Sequence, residues 1–276
     1  MIRFAAALCA ALFFSGTAFA ETPFERGRYL VSAVLNCGNC HTPKGPDAGK
    51  LFSGGTRFDL PDYNVVAPNL TPDRETGLGR WSDADIKKAF VEGVRPNGVR
   101  LAKIMPSAFY GALSNDDLNA VVVYLKSVPP VSNKVDAPVY TVTQQPVVFP
   151  GADKPFIRKD MRTKTQRGFY LATIAHCMEC HTPAQSGEGL FTTQLGKGGR
   201  EFKGPWGLSK SANVTSSKTA GIGGWTDAEI KRAITQGISR DGRLLKGPMG
   251  FASYAKMTNQ DLDAVVAWLR TVPPKE

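Results

Sequence analysis

Apolar residues recur at helical spacing near the end of each half of the chain. In the segment "SNDDLNAVVVYLKSVPP" they stand at Leu118, Val121, Val122 and Leu125, so one face of a helix is apolar. Ser114 precedes this run as a capping residue, and two prolines follow it where a helix has to stop. The pattern predicts a helix that buries one side against a core, and "TNQDLDAVVAWLRTVPP" predicts the same helix in the second half.

Two further helices are predicted in each half. The segments "WSDADIKKAFVEG" and "WTDAEIKRAITQG" begin with a capping hydroxyl, carry an acidic residue three positions later and end at glycine. Another helix, "FERGRYLVSAVLN" or "QRGFYLATIAH", leads into a pair of cysteines. No segment alternates apolar and polar residues convincingly with the two-residue period of a strand. The pattern therefore predicts an all-α fold of short helices joined by long loops.

The sequence contains an internal repeat. Residues 67–130 match residues 211–274 without a gap, at a constant offset of 144. The cysteine pairs of the two copies are offset by only 140, so the second copy carries four extra residues after its pair. Self-similarity of this kind predicts tandem domains with the same fold.

We place the first domain at 21–140 and the second at 160–276, with a linker at 141–159. The linker lies in a stretch that is rich in proline and β-branched residues and lacks a helical period, which predicts an extended conformation. A chain of 276 residues also suits two domains of about 100 residues each better than one small core.

Residues 1–20 have the composition of a secretory signal peptide. Arg3 precedes an apolar run, and Ala18 and Ala20 stand where signal peptidase prefers small residues. The run is short for a membrane helix, and no later stretch approaches the roughly 20 apolar residues that such a helix needs. An uncleaved anchor is the alternative. The sequence predicts cleavage near Ala20, export to the periplasm and no transmembrane anchor.

The segments "NCGNCHTPKG" and "HCMECHTPAQ" each hold two cysteines three positions apart, with a histidine directly after the second. This spacing is typical of covalent c-type haem attachment, in which two thiols add to the two vinyl groups and the histidine can bind the iron. A zinc site would need four ligands where each motif offers three, and a redox-active dithiol does not need the histidine. The duplicated motif favours two covalently bound haems over these alternatives, with attachment at Cys37, Cys40, Cys177 and Cys180.

Haem iron has a further coordination position, for which two methionines are candidates. Met105 and Met249 occupy the same position in the two copies, in loops of proline and glycine rather than on an apolar helix face. Met257 instead matches Leu113, which indicates a core position. We therefore predict Met105 and Met249 as axial ligands. A soft thioether favours Fe(II) and raises the reduction potential.

The chain resembles the class I c-type cytochromes, and especially dihaem cytochromes that accept electrons from periplasmic dehydrogenases. The resemblance rests on "GRYLVSAVLNCGNCHTP", "APNLTPDRETGLGRWSDADI" and "MPSAFYGALSNDDLNAVVVYL", with their second copies. It implies a few short helices around one haem in each domain. It also implies axial iron ligation by His41 with Met105 and by His181 with Met249.

The resemblance implies two further structural features. A backbone carbonyl fixes the haem-binding histidine in this family, and the matching positions here are Pro68 and Ala212. The first and last helices cross at a small residue beside an aromatic one. The matching residues are Gly27 with Tyr124 and Gly168 with Trp268.

The predicted function is single-electron transfer without catalysis, because protein groups would fill both axial positions of each iron. The expected donor is a periplasmic dehydrogenase, and the expected acceptor is a downstream cytochrome or terminal oxidase. The alternative is a dihaem redox enzyme, either peroxidase-like or thiosulfate-oxidising. A peroxidase needs an open iron position, and the thiosulfate-oxidising type is expected to use a further cysteine ligand.

The charge of the chain is uneven. The whole chain carries a formal charge of +10, but residues 21–140 hold 14 Lys and Arg against 13 Asp and Glu, whereas residues 141–276 hold 19 against 11. Nucleic acid is not an expected partner of an exported protein. A basic cluster at the entry to the second domain forms either a solvated segment or a docking surface for an acidic redox partner. Its members are Lys154, Arg158, Lys159, Arg162, Lys164 and Arg167.

Overall fold

The computed structural model describes residues 21–146, 149–185 and 187–276, and the predicted signal peptide lies outside these ranges. Within these ranges the first half of the chain, the first unit, contains five α-helices: α1 (Pro23–Tyr29), α2 (Gly38–His41), α3 (Asp83–Glu92), α4 (Ser107–Tyr110) and α5 (Asn115–Ser127). The second unit repeats this series: α6 (Lys164–Ile174), α7 (Cys177–His181), α8 (Asp227–Gln236), α9 (Phe251–Tyr254) and α10 (Asn259–Leu269). No helix in the described ranges combines the length and apolar character that crossing a membrane requires.

The all-α prediction is wrong, because both units also contain antiparallel strands. In the first unit the sheet order is β1 (Arg57–Leu60), β2 (Tyr63–Val66) and β3 (Val139–Tyr140). In the second unit β4 (Ala184–Gln185) pairs with β5 (Glu188–Gly189), and β6 (Glu201–Gly204) pairs with β7 (Gly207–Lys210). These strands are two to four residues long. Such short strands hold too few residues for alternation to show in the sequence.

The predicted ends of the central helices are confirmed. Ser82 and Thr226 each form a capping box with the acidic residue three positions later. Gly93 and Gly237 end the same helices with φ values of 64° and 66°. Glycine adopts this left-handed conformation without steric cost, which explains why it ends both helices.

The first and last helices of each unit cross at glycine. A Cβ at Gly27 would lie 2.0 Å from a carbonyl oxygen of α5, and a Cβ at Gly168 would lie 1.8 Å from a carbonyl oxygen of α10. Both distances are far inside van der Waals contact. Tyr124 and Trp268 lie beside these glycines, as the resemblance implied. Only glycine therefore permits the helices to approach this closely.

Helix α1 continues as a π-helical turn at Leu30–Val34. The first unit has one residue more between Tyr29 and Cys37 than the second unit has between Tyr170 and Cys177. A π-helical turn absorbs a single extra residue within a continuing helix. The turn therefore lets both units keep their tyrosine and their cysteine pair in corresponding places.

Apolar residues from both units form one core. Three phenylalanines join its parts: Phe109 of the first unit, Phe149 of the predicted linker and Phe191 of the second unit. The ring centroids of Phe109 and Phe149 are 4.6 Å apart, and those of Phe149 and Phe191 are 5.1 Å apart. Phe149 is buried. The linker thus contributes to the packing between the units, while the domain boundaries at 140 and 160 stay a prediction.

A buried carboxylate of the first unit binds groups from both units. Asp117 accepts two hydrogen bonds from the Arg26 guanidinium, at 2.7 and 2.8 Å. Its second oxygen also accepts a hydrogen bond from the hydroxyl of Tyr170, which belongs to the second unit. The Tyr170 hydroxyl in turn accepts a hydrogen bond from the backbone N–H of Ser114 at 3.4 Å.

The second unit repeats this arrangement in the opposite direction. Asp261 accepts a hydrogen bond from Arg167 at 2.6 Å and another from the hydroxyl of Tyr29, in the first unit, at 2.7 Å. The Tyr29 hydroxyl accepts a hydrogen bond from the backbone N–H of Thr258 at 3.3 Å. The corresponding residues of the two units therefore hold each other reciprocally. We call these six residues the reciprocal clasp: Arg26, Asp117 and Tyr170 with Arg167, Asp261 and Tyr29.

The clasp gives the protein a specific dependence on alkaline pH. Burial and the hydrogen bond to Asp261 raise the pKa of Tyr29 from 10.0 to about 12. The folded protein therefore holds this proton more tightly than the unfolded chain does. Its contribution to the free energy of unfolding is complete below about pH 10 and is lost as the pH rises toward 12.

We expect Tyr29→Phe to remove this contribution. Denaturant unfolding measured from pH 8 to 11.5 should show a lower free energy of unfolding at pH 8 and a shallower decline above pH 10 than in the wild type. An unchanged slope above pH 10 would show that Tyr29 does not titrate differently in the folded and unfolded states.

Candidate haem-attachment sites

The four cysteines of the two motifs are free thiols, and they lie at the helices α2 and α7. Burial raises the pKa of Cys37 and of Cys177 to about 12, and the pKa of Cys40 to about 11. Redox-active dithiols depend on a lowered thiol pKa, since the thiolate is the nucleophile. The raised pKa values of these thiols thus argue against the dithiol alternative.

The chain turns sharply just before each cysteine pair. Asn36 and His176 precede the first cysteine of their motifs with φ values of 54° and 45°, in the left-handed region. Asparagine and histidine are enriched among residues that adopt this conformation. The turn separates the helix that enters the motif from the short helix that carries the histidine.

A backbone carbonyl holds each motif histidine. The Nδ1 atom of His41 donates a hydrogen bond to the Pro68 oxygen, and the Nδ1 atom of His181 donates to the Ala212 oxygen, both at 2.8 Å. This bond fixes the tautomer, so Nε2 carries the lone pair that a metal can accept. Burial lowers the pKa of both imidazoles, which favours the neutral form. His41 is buried and His181 is partly exposed.

Matched asparagines support the loops that supply these carbonyls. The side-chain oxygen of Asn69 accepts a hydrogen bond from the Thr71 N–H at 2.9 Å, and its amide donates to the Val131 oxygen at 2.7 Å. Asn213 donates the equivalent hydrogen bond to the Lys275 oxygen at 2.7 Å. Each asparagine therefore ties the histidine-supporting loop to the chain that follows the last helix of its unit.

The two candidate methionines lie in loops that lead into α4 and α9. Met105 and Met249 are both partly buried and pack against the apolar core. Met257 is buried within that core, at 7% exposure, as its match with Leu113 predicted. In the described ranges no group of three or more His, Cys, Asp or Glu side chains is arranged to hold a metal ion.

We call the loop that contains Met105 or Met249 and leads into α4 or α9 the methionine loop. Each cysteine motif lies beside the methionine loop of the other unit or beside the short helix that follows it. The Asn39 amide, inside the first motif, donates a hydrogen bond to the Pro248 oxygen at 3.4 Å. In the opposite direction, the ring of His176 lies 6.5 Å from that of Phe109 and 6.3 Å from that of Tyr110. The fold thus brings the two candidate sites together across the interface between the units.

The family model for cytochrome c matches the chain twice, at residues 24–129 and 165–273. The chain belongs to the cytochrome c family. Membership implies covalently bound haem. The residues of this cytochrome suit that group, because each motif presents two free thiols and an imidazole whose Nδ1 is already occupied by a carbonyl.

Several characterised proteins are similar to this cytochrome over most of its length. The fructose dehydrogenase cytochrome subunit of Gluconobacter japonicus is 28% identical over 91% of this chain and 53% of its own length. The gluconate 2-dehydrogenase cytochrome c subunit of Pantoea cypripedii is 29% identical over 77% of this chain and 51% of its own. A dihaem c-type cytochrome of Cereibacter sphaeroides is 27% identical over 87% and 83%. The chain spans about half the length of the first two relatives.

The reciprocal clasp is the feature near these sites that the sequence analysis did not identify. A signal for it exists, since its arginines, tyrosines and carboxylates are identical in the two copies: Arg26 and Arg167, Tyr29 and Tyr170, Asp117 and Asp261. Each of these residues also suits an exposed helix face. The repeat alone does not show that a tyrosine of one copy reaches the carboxylate of the other.

Proposed function

We propose that this cytochrome binds two haems and carries single electrons from a periplasmic dehydrogenase to a downstream cytochrome or terminal oxidase. Attachment would be through Cys37 and Cys40 in the first unit and through Cys177 and Cys180 in the second. The observation that carries the proposal is the duplicated motif whose histidine has its Nδ1 held by a carbonyl at 2.8 Å in both units. We further propose that the protein is a non-catalytic electron carrier or subunit.

The proposed axial ligands are His41 with Met105 and His181 with Met249. When bound, haem supplies a one-electron iron couple, and a thioether ligand favours its reduced form. The carbonyls of Pro68 and Ala212 orient the imidazoles and increase their basicity through the hydrogen bond to Nδ1. Methionine at the remaining axial position would exclude other ligands, which suits electron transfer better than catalysis.

Two observations support a dehydrogenase as the electron donor and the periplasm as the location. Several relatives are cytochrome subunits of fructose, gluconate or alcohol dehydrogenases. The first 20 residues have the composition of an export signal. The substrate of the donor enzyme is not implied by these names, because the named dehydrogenases act on different compounds.

The contact between each motif and the opposite methionine loop supports electron exchange between the two sites. Asn39 of the first unit contacts Pro248 of the second, and His176 of the second unit lies beside Phe109 of the first. The shared phenylalanine packing and the reciprocal clasp hold the units in one arrangement. A constant arrangement keeps the distance between the two centres constant, so an electron accepted by one centre can pass to the other.

We expect Met105→Ala and Met249→Ala each to remove the near-infrared thioether-to-iron absorption of one haem in the oxidised holoprotein. The physical reason is the loss of the only sulfur ligand at that iron. The double variant should lose the band completely. Met257→Leu is the matched control, since Leu113 fills the corresponding core position in the first unit, and it should retain the full band.

The same spectra test the catalytic alternative. The wild-type reduced protein should not bind carbon monoxide readily at either haem. Rapid carbon monoxide binding by the wild type, or a band that survives the double replacement, would contradict the ligand assignment and favour a dihaem enzyme. A haem determination on the purified protein should give two per chain.

A further inference from the structure

The two units differ most at their strand hairpins. In the first unit the β1–β2 hairpin is covered, because β3 pairs with the outer edge of β2. Tyr63, Val65 and Ala102 form a small buried cluster against it, with exposures of 2%, 8% and 5%. At the tip, the carboxylate of Asp62 pairs with the Lys103 ammonium at 2.5 Å. This face of the first unit is therefore closed by the chain itself.

The corresponding hairpin of the second unit lacks this buried apolar cluster. At the offset of 144, the three residues of the buried cluster are replaced by Gly207, Ser209 and Lys246, which cannot form an apolar cluster. Within the described ranges, β6 and β7 form a sheet of two strands, and the positions that would match β3 at this offset fall after residue 276. The internal repeat thus provides a direct comparison between a hairpin with a buried apolar cluster and one without it.

The tip of the second-unit hairpin carries a tryptophan in place of the ion pair. Trp206 stands where Asp62 stands in the first unit, and Gly247 stands where Lys103 does. The indole lies directly on Gly247, since a Cβ at that glycine would be 2.7 Å from the Trp206 Cε3 atom. Met249 follows two residues later. The tryptophan is therefore anchored on the methionine loop and remains 37% exposed.

Two further apolar residues are exposed in the hairpin and in the segment that leads to Gly247. Leu208, in β7, is 60% exposed, and Leu244, three residues before Gly247, is 75% exposed. The first unit has the polar residues Asn64 and Arg100 at the same positions. We call Trp206, Leu208 and Leu244 the hairpin face. Exposed tryptophan and leucine close to a candidate redox site are typical of a surface that contacts a partner.

Basic side chains accompany the hairpin face. Lys203, Lys210, Arg243 and Lys246 are exposed, and in the part of the chain that the structure describes none of them takes part in an ion pair. Two acidic residues, Glu201 and Asp241, lie in the same segments. The Asp241 carboxylate accepts a hydrogen bond from the Ser239 hydroxyl. The local charge is therefore positive, which complements an acidic partner.

The hairpin face also lies beside both candidate sites. The Pro248 oxygen, next to the glycine under Trp206, accepts the hydrogen bond from Asn39 of the first cysteine motif. A partner seated on the hairpin face would therefore meet the methionine loop of the second unit and the attachment motif of the first. Such a position suits electron transfer, because it brings the partner close to both centres.

We propose that the hairpin face, Trp206, Leu208 and Leu244, is the docking surface for a redox protein whose contact area is apolar at its centre and acidic at its rim. This rests on the proposed electron-transfer function. The basic cluster at 154–167 is less suited to the role, since Arg167 belongs to the clasp and Lys164 lies 3.6 Å from Asp263. The apolar centre would supply the binding energy, and the lysines would steer the encounter.

The test measures electron transfer from the reduced dihaem holoprotein to plant plastocyanin, a small acidic copper protein, in stopped flow. A face variant combines Trp206→Asp, Leu208→Asn and Leu244→Arg, which are the residues of the first unit at these positions. We expect its second-order rate constant to fall by about tenfold, since truncating one central contact residue commonly costs that factor. A second variant, with Leu208→Asn and Leu244→Gln, keeps Trp206 on Gly247. Its second-order rate constant should fall less than that of the face variant.

Matched controls make the result specific. Leu51→Asn with Leu60→Gln removes exposed leucines of the first unit, with exposures of 59% and 47%, and should not change the rate. Lys203→Gln with Lys246→Gln should slow the reaction at low salt and lose its effect at high salt, whereas Lys154→Gln with Lys159→Gln should not. An unchanged rate in the face variant, or a decrease only in the Lys154 and Lys159 variant, would overturn the docking proposal.

Hexacyanoferrate(III) separates this proposal from the function on which it rests. This small anion needs no apolar contact area, so the variant with Leu208→Asn and Leu244→Gln should reduce it as fast as the wild type. A different result is that the wild type and the variants reduce hexacyanoferrate(III) normally while the face variant reduces plastocyanin as fast as the wild type does. That result would overturn the docking proposal and leave the electron-transfer function standing. A wild-type holoprotein that reduces neither acceptor would overturn the electron-transfer function, and the docking proposal with it.

Discussion

Replacing Gly168 by alanine should destabilise the second unit by at least about 3 kcal/mol, at the upper end of what overpacking costs. A Cβ at this position would lie 1.8 Å from a backbone carbonyl oxygen of α10 and 2.9 Å from the Trp268 Cβ atom. Backbone cannot move away as the end of a flexible side chain can, so α6 and α10 would have to separate. Their contact is the main helix crossing of the second unit. Thermal and denaturant unfolding of the holoprotein measure this effect.

Two further glycine replacements make the comparison quantitative. Gly27→Ala should destabilise the first unit to a similar degree, because its Cβ would lie 2.0 Å from a carbonyl oxygen of α5. Gly49→Ala is the control, since no atom lies within 4 Å of the Cβ that it would add. It should change the free energy of unfolding by less than about 1 kcal/mol. Equal effects of Gly168→Ala and Gly49→Ala would show that the crossing tolerates a wider separation.

Replacing Asp117 by alanine should cost about 3 to 5 kcal/mol, because it leaves the Arg26 guanidinium without its partner at a buried position. The Arg26 side chain is 19% exposed, and both hydrogen bonds to Asp117 would be lost together with the bond from Tyr170. Asp261→Ala should act in the same way through Arg167 and Tyr29 but with a smaller effect, because the Arg167 side chain is 33% exposed and solvent can hydrate its charge. Denaturant unfolding of the holoprotein at neutral pH measures both.

A surface ion pair is the control for the clasp. Asp136 pairs with Arg57, and the two side chains are 71% and 48% exposed. Asp136→Ala should therefore cost less than about 1 kcal/mol. If Asp117→Ala and Asp136→Ala were equally mild, the buried pair would not contribute to stability.

Tyrosine replacements separate the contact between the units from the ion pairs within them. Tyr170→Phe leaves the Arg26 and Asp117 pair in place. It removes the two hydrogen bonds of the hydroxyl, to Asp117 and from the Ser114 N–H, at about 1 kcal/mol each. A cycle of Tyr170→Phe, Asp117→Ala and the double variant isolates this coupling. We also expect the combined Tyr29→Phe and Tyr170→Phe variant to slow electron exchange between the two haems, measured by flash photolysis. An unchanged exchange rate would show that the phenylalanine packing holds the two sites in place without the tyrosine hydrogen bonds.

The sequence predicted the helices better than the fold class. Helix ends depend on local chemistry, such as the Ser82 capping box and the left-handed Gly93, and this chemistry is visible in the sequence. The strands depend on pairing between segments. The β3 strand, Val139–Tyr140, exists only because β2 lies beside it. Nothing within two residues distinguishes such a strand from an extended linker.

The candidate site shows the same division. The cysteine spacing and the adjacent histidine are local, and the repeat selected Met105 and Met249 from the other methionines. The carbonyls that hold His41 and His181 followed from the family resemblance, and both lie where it implied. Assignment of all eight residues as haem ligands and attachment points stays a prediction that the spectra and the haem determination test.

By itself the sequence determined the repeat, the two cysteine motifs and the helices that carry them, because each depends on residues close together in the chain. Only the tertiary structure decided how the two copies meet. The hydrogen bond between Tyr29 and Asp261 joins residues 232 positions apart, and its counterpart joins Tyr170 to Asp117. The tertiary structure also decided that the hairpin of the first unit packs against a buried apolar cluster. Such contacts depend on the relative position of two folded units, which no local pattern encodes.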